Sequence, residues 1–396
     1  MELVSPAGSL EKLKFAIDFG ADAVYAGGKI FSLRSLSGMS LQELEEGIKY
    51  AHERGKKVYL TLNAFLRNAD LENFRSFVKD VSRLEPDGIV VSDLGALRIL
   101  REVAPSIPVH VSTQANITNY EAVKFLKDAG VKRIILAREL SLKEVREIKR
   151  FVPEVEIEVF VHGALCMAYS GRCFLSLYLT GRDANRGECT QCCRWKYYVV
   201  EEKRKEGFLV EESEEGTFIF NSKDLCAVEL IPELISAGVD AVKIEGRNKS
   251  VYYCALTTMI YKEAIKVALE SPSEFEKRVK FFLEELDKVS HRPYTKGFLG
   301  GEKELQHTKT SSYIRKCSFL ATYEKGKWKV RNPFKVGEVV EVVAPGMKIV
   351  KEKIGVIIKE GKRVESAQTN DEVEIPNVKV EAERALMRRC FAENQT

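Results

Sequence analysis

Five cysteines fall within 28 residues of the chain: Cys166, Cys173, Cys189, Cys192 and Cys193. Thiolates are soft ligands, suited to zinc or to iron–sulfur clusters. Six residues separate Cys166 from Cys173, fifteen separate Cys173 from Cys189, and three separate Cys189 from Cys193. Structural zinc usually shows two C-x2-4-C knuckles. Cys189-x2-Cys192 makes one, and Cys166 with Cys173 does not make the other. Four thiolates from a long Gly-rich loop fit a 4Fe–4S cluster, and spacing alone leaves zinc open beside it. Residues 161–200 carry five bases (Arg172, Arg182, Arg186, Arg194, Lys196) against two acids (Asp183, Glu188). That surplus should lower thiolate pKa values and offset a cluster's negative charge.

The elements that must position these thiols come from periodicity. Short apolar runs at Glu2–Val4, Ala23–Ala26, Lys57–Asn63, Gly88–Ser92, Val109–Ser112, Arg133–Ala137, Glu156–Val161 and Asp240–Ile244 read as strands. Helical patterns lie between them: Ser9–Phe19, Leu41–Arg54, Leu71–Leu84, Leu94–Val103, Tyr120–Ala129, Leu142–Arg150 and Leu225–Ala237. Ser9, Ser40, Asp70, Asn119 and Ser141 stand where N-caps belong, and Gly20, Gly55 and Gly130 where helices end. Eight such units predict a TIM-like (β/α)8 barrel over 1–290, with a cysteine-rich insertion at about 163–217. No G-x-G-x-x-G follows the first strand to favour an open sheet. Two helical stretches run on to about Asp287, and 291–309 reads as a linker. Short runs at Ser318–Tyr323, Lys327–Val330, Glu338–Val343 and Lys353–Ile358, with turns at Lys325-Gly326 and Pro345-Gly346, predict a small all-β domain over 310–390.

In such a barrel the insertion sits on the C-terminal face, where active sites are built. The strand ends there present Ser5, Tyr25, Asn63, Asp93, Gln114, Arg138, Glu139, His162, Lys243, Glu245 and Arg247. Polar groups converging at strand ends read as substrate contacts. Lys243, Glu245 and Arg247 alternate and should share a face. His162 is either a general acid or base, or a buried histidine satisfying a loop carbonyl. Arg182, Arg186 and Arg194 are candidate phosphate grips, or a solvated loop face. Tyr169, Tyr178, Trp195 and Tyr197 interleave with them, a pattern compatible with base stacking and equally with packing.

The motifs LVSPAG, GADAVYAGG, LTLNAF, VSTQANITN, EVFVHGALCMAYSGRC, NRGECTQCCRW, FNSKDLC and VKIEGR resemble the U32 peptidase family, the collagenase-like proteases. HRPYTKGFL and PFKVGEVVEVVAPG narrow the resemblance to the branch that hydroxylates the wobble uridine of tRNA at carbon 5. The resemblance implies a cluster held by Cys166, Cys173, Cys189 and Cys193, with Cys226 as an alternative fourth ligand and Cys192 as an extra thiol. It implies tRNA as substrate, prephenate as oxygen-source co-substrate, no need for molecular oxygen, and iron–sulfur assembly proteins as partners. Tyr25, Asn63, Gln114, Arg138, Glu139, Arg182, Arg186 and Arg194 are then substrate candidates. His162, Lys243, Glu245 and Arg247 are the catalytic ones.

Two other readings compete. The family name suggests a peptidase, but neither G-x-S-x-G nor H-E-x-x-H occurs, leaving a cysteine nucleophile with His162 as its form. A non-catalytic RNA-binding protein with a structural cluster is the third. The 396 residues are 45% hydrophobic and 30% charged, with 62 basic against 58 acidic groups, as in an ordinary globular chain. That mild balance neither requires nor excludes nucleic acid. No apolar run is long enough to span a membrane and no signal peptide is read, so a cytoplasmic location is expected. In a reducing compartment the nine cysteines should not form structural disulfides. Cys254, Cys317 and Cys390 read as small buried hydrophobes.

Overall fold

In the computed structural model, which describes residues 1–33, 38–197, 220–303, 305–307 and 309–391, eight parallel strands close into a barrel. Seven come first: β1 (Glu2–Ala7), β2 (Ala23–Ala26), β3 (Lys57–Thr61), β4 (Gly88–Val91), β5 (Val109–Val111), β6 (Arg133–Ile135) and β7 (Glu156–Ala164). β8 (Asp224–Cys226) stands outside the ring, and β9 (Ala241–Ile244) completes it. Closure is visible at Ala241, which lies opposite Glu158 on one side and Glu2 on the other. Helices α1 (Leu10–Asp18), α2 (Leu41–His52), α3 (Leu71–Ser82), α4 (Leu94–Val103), α5 (Tyr120–Asp128) and α6 (Leu142–Phe151) cross between successive strands. Ser9, Ser40, Asn119 and Ser141 cap their helices through the side chain. Asp70 stands at the head of α3 but makes no cap bond, because its carboxylate is engaged elsewhere.

Alternation along the strands sorts two interiors. Leu3, Val24, Val58, Leu60, Ile89, Val111, Ile134 and Ile157 face the helices and form the main core. Inside the barrel the apolar set is small, with Tyr25, Tyr59, Val90 and Ile135 among its members. A column of buried charge shares that space. Lys243 Nζ donates to Glu158 Oε1 at 2.8 Å, and Arg133 Nη1 donates to Glu158 Oε2 at 3.1 Å and Glu2 Oε1 at 2.6 Å. Tyr59 donates to the same Glu2 oxygen at 2.8 Å. Charges this deep persist only when paired.

The segment predicted as a helix over Leu225–Ala237 begins differently. Residues Asp224–Cys226 pair antiparallel with an extension of β7, His162 opposite Cys226, and form β8. After α7 (Leu175–Thr180), within the cysteine segment, the next helix is α8 (Ile231–Ser236). The correction has a physical cause: β7 runs past the barrel rim, and its exposed edge takes β8 and then β10 (Tyr294–Thr295). Two long helices follow β9, α9 (Val251–Glu270) and α10 (Pro272–Leu286). Cys254 is buried in α9, as a small hydrophobe would be.

The C-terminal region is all β. β11 (Cys317–Glu324), β12 (Lys327–Val330), β14 (Val339–Ala344), β15 (Lys348–Lys353), β19 (Glu372–Val373) and β20 (Arg384–Cys390) form one antiparallel sheet. Smaller pairs join β13 (Phe334–Lys335) to β18 (Ser366–Ala367) and β16 (Ile357–Lys359) to β17 (Lys362–Val364). The strand expected at Lys353–Ile358 is instead the end of β15 and the start of β16. Between them the Asn377 side chain accepts from the Gly355 and Val356 N–H groups. Cys317 and Cys390 lie directly opposite on β11 and β20 and form a disulfide. That overturns their reading as unpaired hydrophobes: their separation of 73 residues hides a face-to-face register. Arg388, fully buried, pairs with Glu285 of α10 at 2.8 Å and docks this sheet on the barrel. Among the described residues no helix is long and apolar enough to cross a membrane.

Candidate active site at the barrel mouth

The C-terminal ends of the strands surround a cavity of about 80 Å³. Tyr25, Asn63, Gln114 and Arg138 line it from β2, β3, β5 and β6, and Lys243, Glu245 and Arg247 line it from β9 and its exit. These predicted residues are therefore brought together. Lys243 Nζ sits 4.3 Å from the centroid of the Tyr25 ring while paired to Glu158. Burial pulls its pKa below the usual lysine value, opposed by the Glu158 charge. The Tyr25 hydroxyl donates to the Ile244 carbonyl at 3.0 Å. Asn63 is partly spoken for, accepting from the Leu33 N–H at 3.2 Å. Arg138 reaches 5.7 Å from the Phe160 ring and has no carboxylate partner among the described residues.

Arg247 shows how the wall was built. Its Nη1 donates to Ser32 Oγ at 2.8 Å and Thr61 Oγ1 at 3.0 Å. A Cβ on Gly27 would stand 2.6 Å from Arg247 Nη2 and 2.5 Å from both hydroxyls, so only glycine leaves room. Ser32, Thr61, Gly27, Glu158 and Arg133 were missed in the sequence. Glu158 left a signal there, a second carboxylate on the inward face of an otherwise apolar strand.

The cysteine segment lies across this mouth as a strap. Ser170 donates from its backbone N–H to Glu139 at 2.7 Å. The Gly171 backbone passes so near Gln114 that a Cβ would fall 1.8 Å from the Gln114 carbonyl oxygen. At the far side the Phe65 N–H donates to the Asn185 carbonyl at 3.0 Å, and Arg186 reaches both the Phe65 carbonyl and Asp70. The Arg186 bond is the first cause holding the Asp70 carboxyl below its ordinary range. Between these ties hang the thiols. Cys166 is exposed and lines the cavity. Burial raises the Cys173 thiol, the N–H groups of Ser176 and Leu175 oppose it, and Cys166 and Cys189 add to it. Burial pushes Cys193 up to about 11, reinforced by Cys166, Cys189 and Cys192 and opposed by Arg194. Cys173 and Cys193 thus each lie within electrostatic reach of Cys166 and Cys189. The expected lowering of thiol pKa values does not hold for Cys173 and Cys193, because burial outweighs the basic surplus. Among the described residues, no three His, Cys, Asp or Glu side chains are close enough to hold a single metal ion.

Other predicted site residues are placed away from the cavity. The register of β7 against β9 shifts between Phe160 and His162, a bulge that re-aims the strand. Phe160 lines the cavity, while His162 turns outward among the rings of Tyr253, Tyr261 and Tyr294. Burial pushes its pKa down to about 3, so it is neutral. His162 therefore does not serve the mouth as an acid or base. Cys226 is buried beside the Tyr261 hydroxyl, burial raising it to about 12, with Glu229 and Asp287 as its nearby charges. It stands apart from the strap thiols. Glu139 holds Ser170, and so acts on the strap. Arg186 is paired to Asp70, and Arg194 donates to Gln191 at 2.7 Å and Tyr313 at 3.1 Å. Arg182 alone of the three is exposed with no side-chain partner among the described residues. Cys192 is buried, its carbonyl accepting from Tyr197. Residues 198–217 of the expected insertion lie outside the described residues.

With the geometry in place, comparison with known proteins is informative. The family model for peptidase family U32 matches residues 8–309. The chain is 39% identical over 397 residues to tRNA hydroxylation protein P of Escherichia coli, covering 87% of this chain and 86% of that one. It is 38% identical over 354 residues to tRNA hydroxylation protein P1 of Bacillus subtilis, covering 87% and 83%. It is also 32% identical over 398 residues to a protein named collagenase from Porphyromonas gingivalis, covering 95% and 94%.

Proposed function

The chain belongs to peptidase family U32, and we propose that within it this protein is a tRNA-modifying enzyme that hydroxylates wobble uridine at carbon 5. The reading includes a 4Fe–4S cluster, prephenate as oxygen donor and no need for molecular oxygen. The observation that carries it is a cysteine segment, with Cys173 and Cys193 each close enough to Cys166 and Cys189 to feel them, laid over a cavity that Cys166 itself lines. Relatives named for tRNA hydroxylation support the substrate class.

The donor set was tested against the cluster. It is all sulfur, from Cys166, Cys173, Cys189 and Cys193, and those are the residues that would hold the group. What fits the cluster is the chemistry of this donor set, four soft sulfur atoms from one segment. Arg194 and the N–H groups facing Cys173 are donors and charge of the right sign for thiolates. A bound cluster would supply electron transfer at the mouth. The chain's own residues do the rest. Arg138 and Arg247 offer cationic donors to the carboxylates of a prephenate-like acid. Gln114 and Asn63 offer amides to the polar edge of a base.

A peptidase reading lacks visible machinery. A cysteine nucleophile needs a thiol lowered by a neighbouring base. Burial raises Cys173 and Cys193 instead, and His162 packs among tyrosine rings away from the cavity lining.

Two measurements test the proposal. Protein purified without oxygen should be brown and contain iron and sulfide, and Cys166→Ser or Cys189→Ser should lose both along with activity. RNA nucleosides from cells lacking the protein should show less 5-hydroxyuridine derivative by mass spectrometry. Unchanged nucleosides would remove the hydroxylase reading, and cleavage of gelatin abolished by Cys166→Ser would restore the peptidase.

A further inference from the structure

The strap carries more uncovered apolar surface than its length accounts for. Met167, Tyr169, Phe174, Tyr178, Leu179 and Trp195 are six of the 18 large apolar side chains exposed among the described residues. Four are aromatic, with Tyr178 75% and Phe174 64% exposed, their ring centroids 6.0 Å apart. A ring so uncovered contributes little to the fold, and exposed apolar patches of this kind mark sites of interaction.

Charge decides the partner. Arg172 and Arg182 flank these rings in sequence, are exposed, and have no side-chain partner among the described residues. Of the segment's two acids, Asp183 is engaged with the Asn185 N–H at 2.9 Å. Aromatic faces beside unpaired guanidinium groups suit stacked bases joined by phosphates. The patch also adjoins the cavity, since Cys166 lines it and Gly171 abuts Gln114.

We propose that the outer face of the strap is a stacking platform for unpaired nucleotides flanking the one that enters the mouth. Tyr178 and Phe174 lie against bases, and Arg172 and Arg182 meet phosphates. This rests on the RNA-modifying reading above and extends it to how a single-stranded loop is held.

The test uses the full-length protein, purified without oxygen, and a fluorescent anticodon stem-loop RNA with an unmodified wobble uridine. Tyr178→Ala and Phe174→Ala should each weaken binding and raise KM for RNA about tenfold, as expected for one lost stacking contact. Tyr178→Trp should restore both. Arg182→Gln should flatten the slope of log affinity against log salt by about 0.7, one single-strand phosphate contact. Iron and sulfide content and Tm should match wild type, which separates platform loss from a damaged strap. A fully paired RNA of the same stem should bind alike to wild type and variants. If the alanine variants keep wild-type affinity and KM while wild type hydroxylates the loop, the platform is overturned and the function stands. A variant that keeps RNA affinity but loses a co-purifying protein would reassign the patch to that protein. If wild type neither binds nor modifies RNA, both readings fall.

Discussion

The barrel wall and the strap across it are built on opposite terms. In the wall, Lys243, Glu158, Arg133 and Glu2 form an unbroken series of short ion pairs among residues almost wholly buried. In the strap, thiols raised by burial and by one another stand beside exposed rings and two unpaired arginines. Those four charges answer one another within the chain. On the proposed reading, the strap's thiols would be completed by a cluster and its rings by RNA bases. Preorganised groups belong on rigid elements, and groups that must receive a cofactor or a flexible substrate belong on a segment tied at a few points.

The severest way to break the wall is at its shared carboxylate. Glu158→Ala leaves Lys243 and Arg133 buried without a counter-charge at that point, a change that typically costs about 3–5 kcal/mol. We expect urea unfolding of the variant to show a loss of that size, with little soluble protein at the upper end. A loss below about 1 kcal/mol would mean that water or Glu2 compensates, and that the wall is not the closed unit described here.

Much of this contrast was legible beforehand, and what was not has physical reasons. Short apolar runs marked all eight barrel strands, and Ser40 and Ser141 cap their helices where N-caps were expected. Lys243, Glu245 and Arg247 reached the cavity because their order along β9 places them there. Glu158 was missed because its partners lie 25 and 85 residues away. His162 was misplaced because a one-residue bulge inverts a strand's faces, and composition does not encode a bulge. Cys317 and Cys390 were misread because register between strands far apart in sequence sets which residues face each other.

The second prediction concerns the wall's outer side. His162 has a folded pKa of about 3 against an ordinary 6.5, burial being the main cause. The unfolded chain therefore binds more protons between those values, and stability must fall as pH drops below about 6.5. Above that value both states are neutral and the stabilisation is fully present. From pH 6.5 to 5 this one group should remove about 2 kcal/mol. Urea midpoints measured across that window for wild type and His162→Gln test it. The variant should lose the His162 share of the acid dependence, leaving a shallower profile. Parallel profiles would show that protons reach His162 in the folded state, and so that the wall is not sealed on that side.

The smallest effect probes the tie between the two regions. Asp70 heads α3 yet gives its carboxylate to Arg186, at 2.8 Å, and to the Arg67 N–H, at 2.7 Å. Asp70 makes no side-chain cap bond to α3, so Asp70→Asn leaves the helix end as it is and removes the charge that holds Arg186. Partly exposed ion pairs are worth less than about 1 kcal/mol, and the global unfolding midpoint should barely move. Locally the consequence is larger in kind. Arg186 lies three residues before Cys189, so releasing it frees the stretch that carries that thiol. We expect Cys189 in the metal-free protein to be alkylated several-fold faster in the variant, while buried Cys254 is unaffected. High salt should move wild type toward the variant's rate, because screening weakens the same pair. Equal rates at low salt would mean that the Phe65 backbone bonds alone fix the strap, and the comparison between a rigid wall and a lightly tethered segment would have to be redrawn around them.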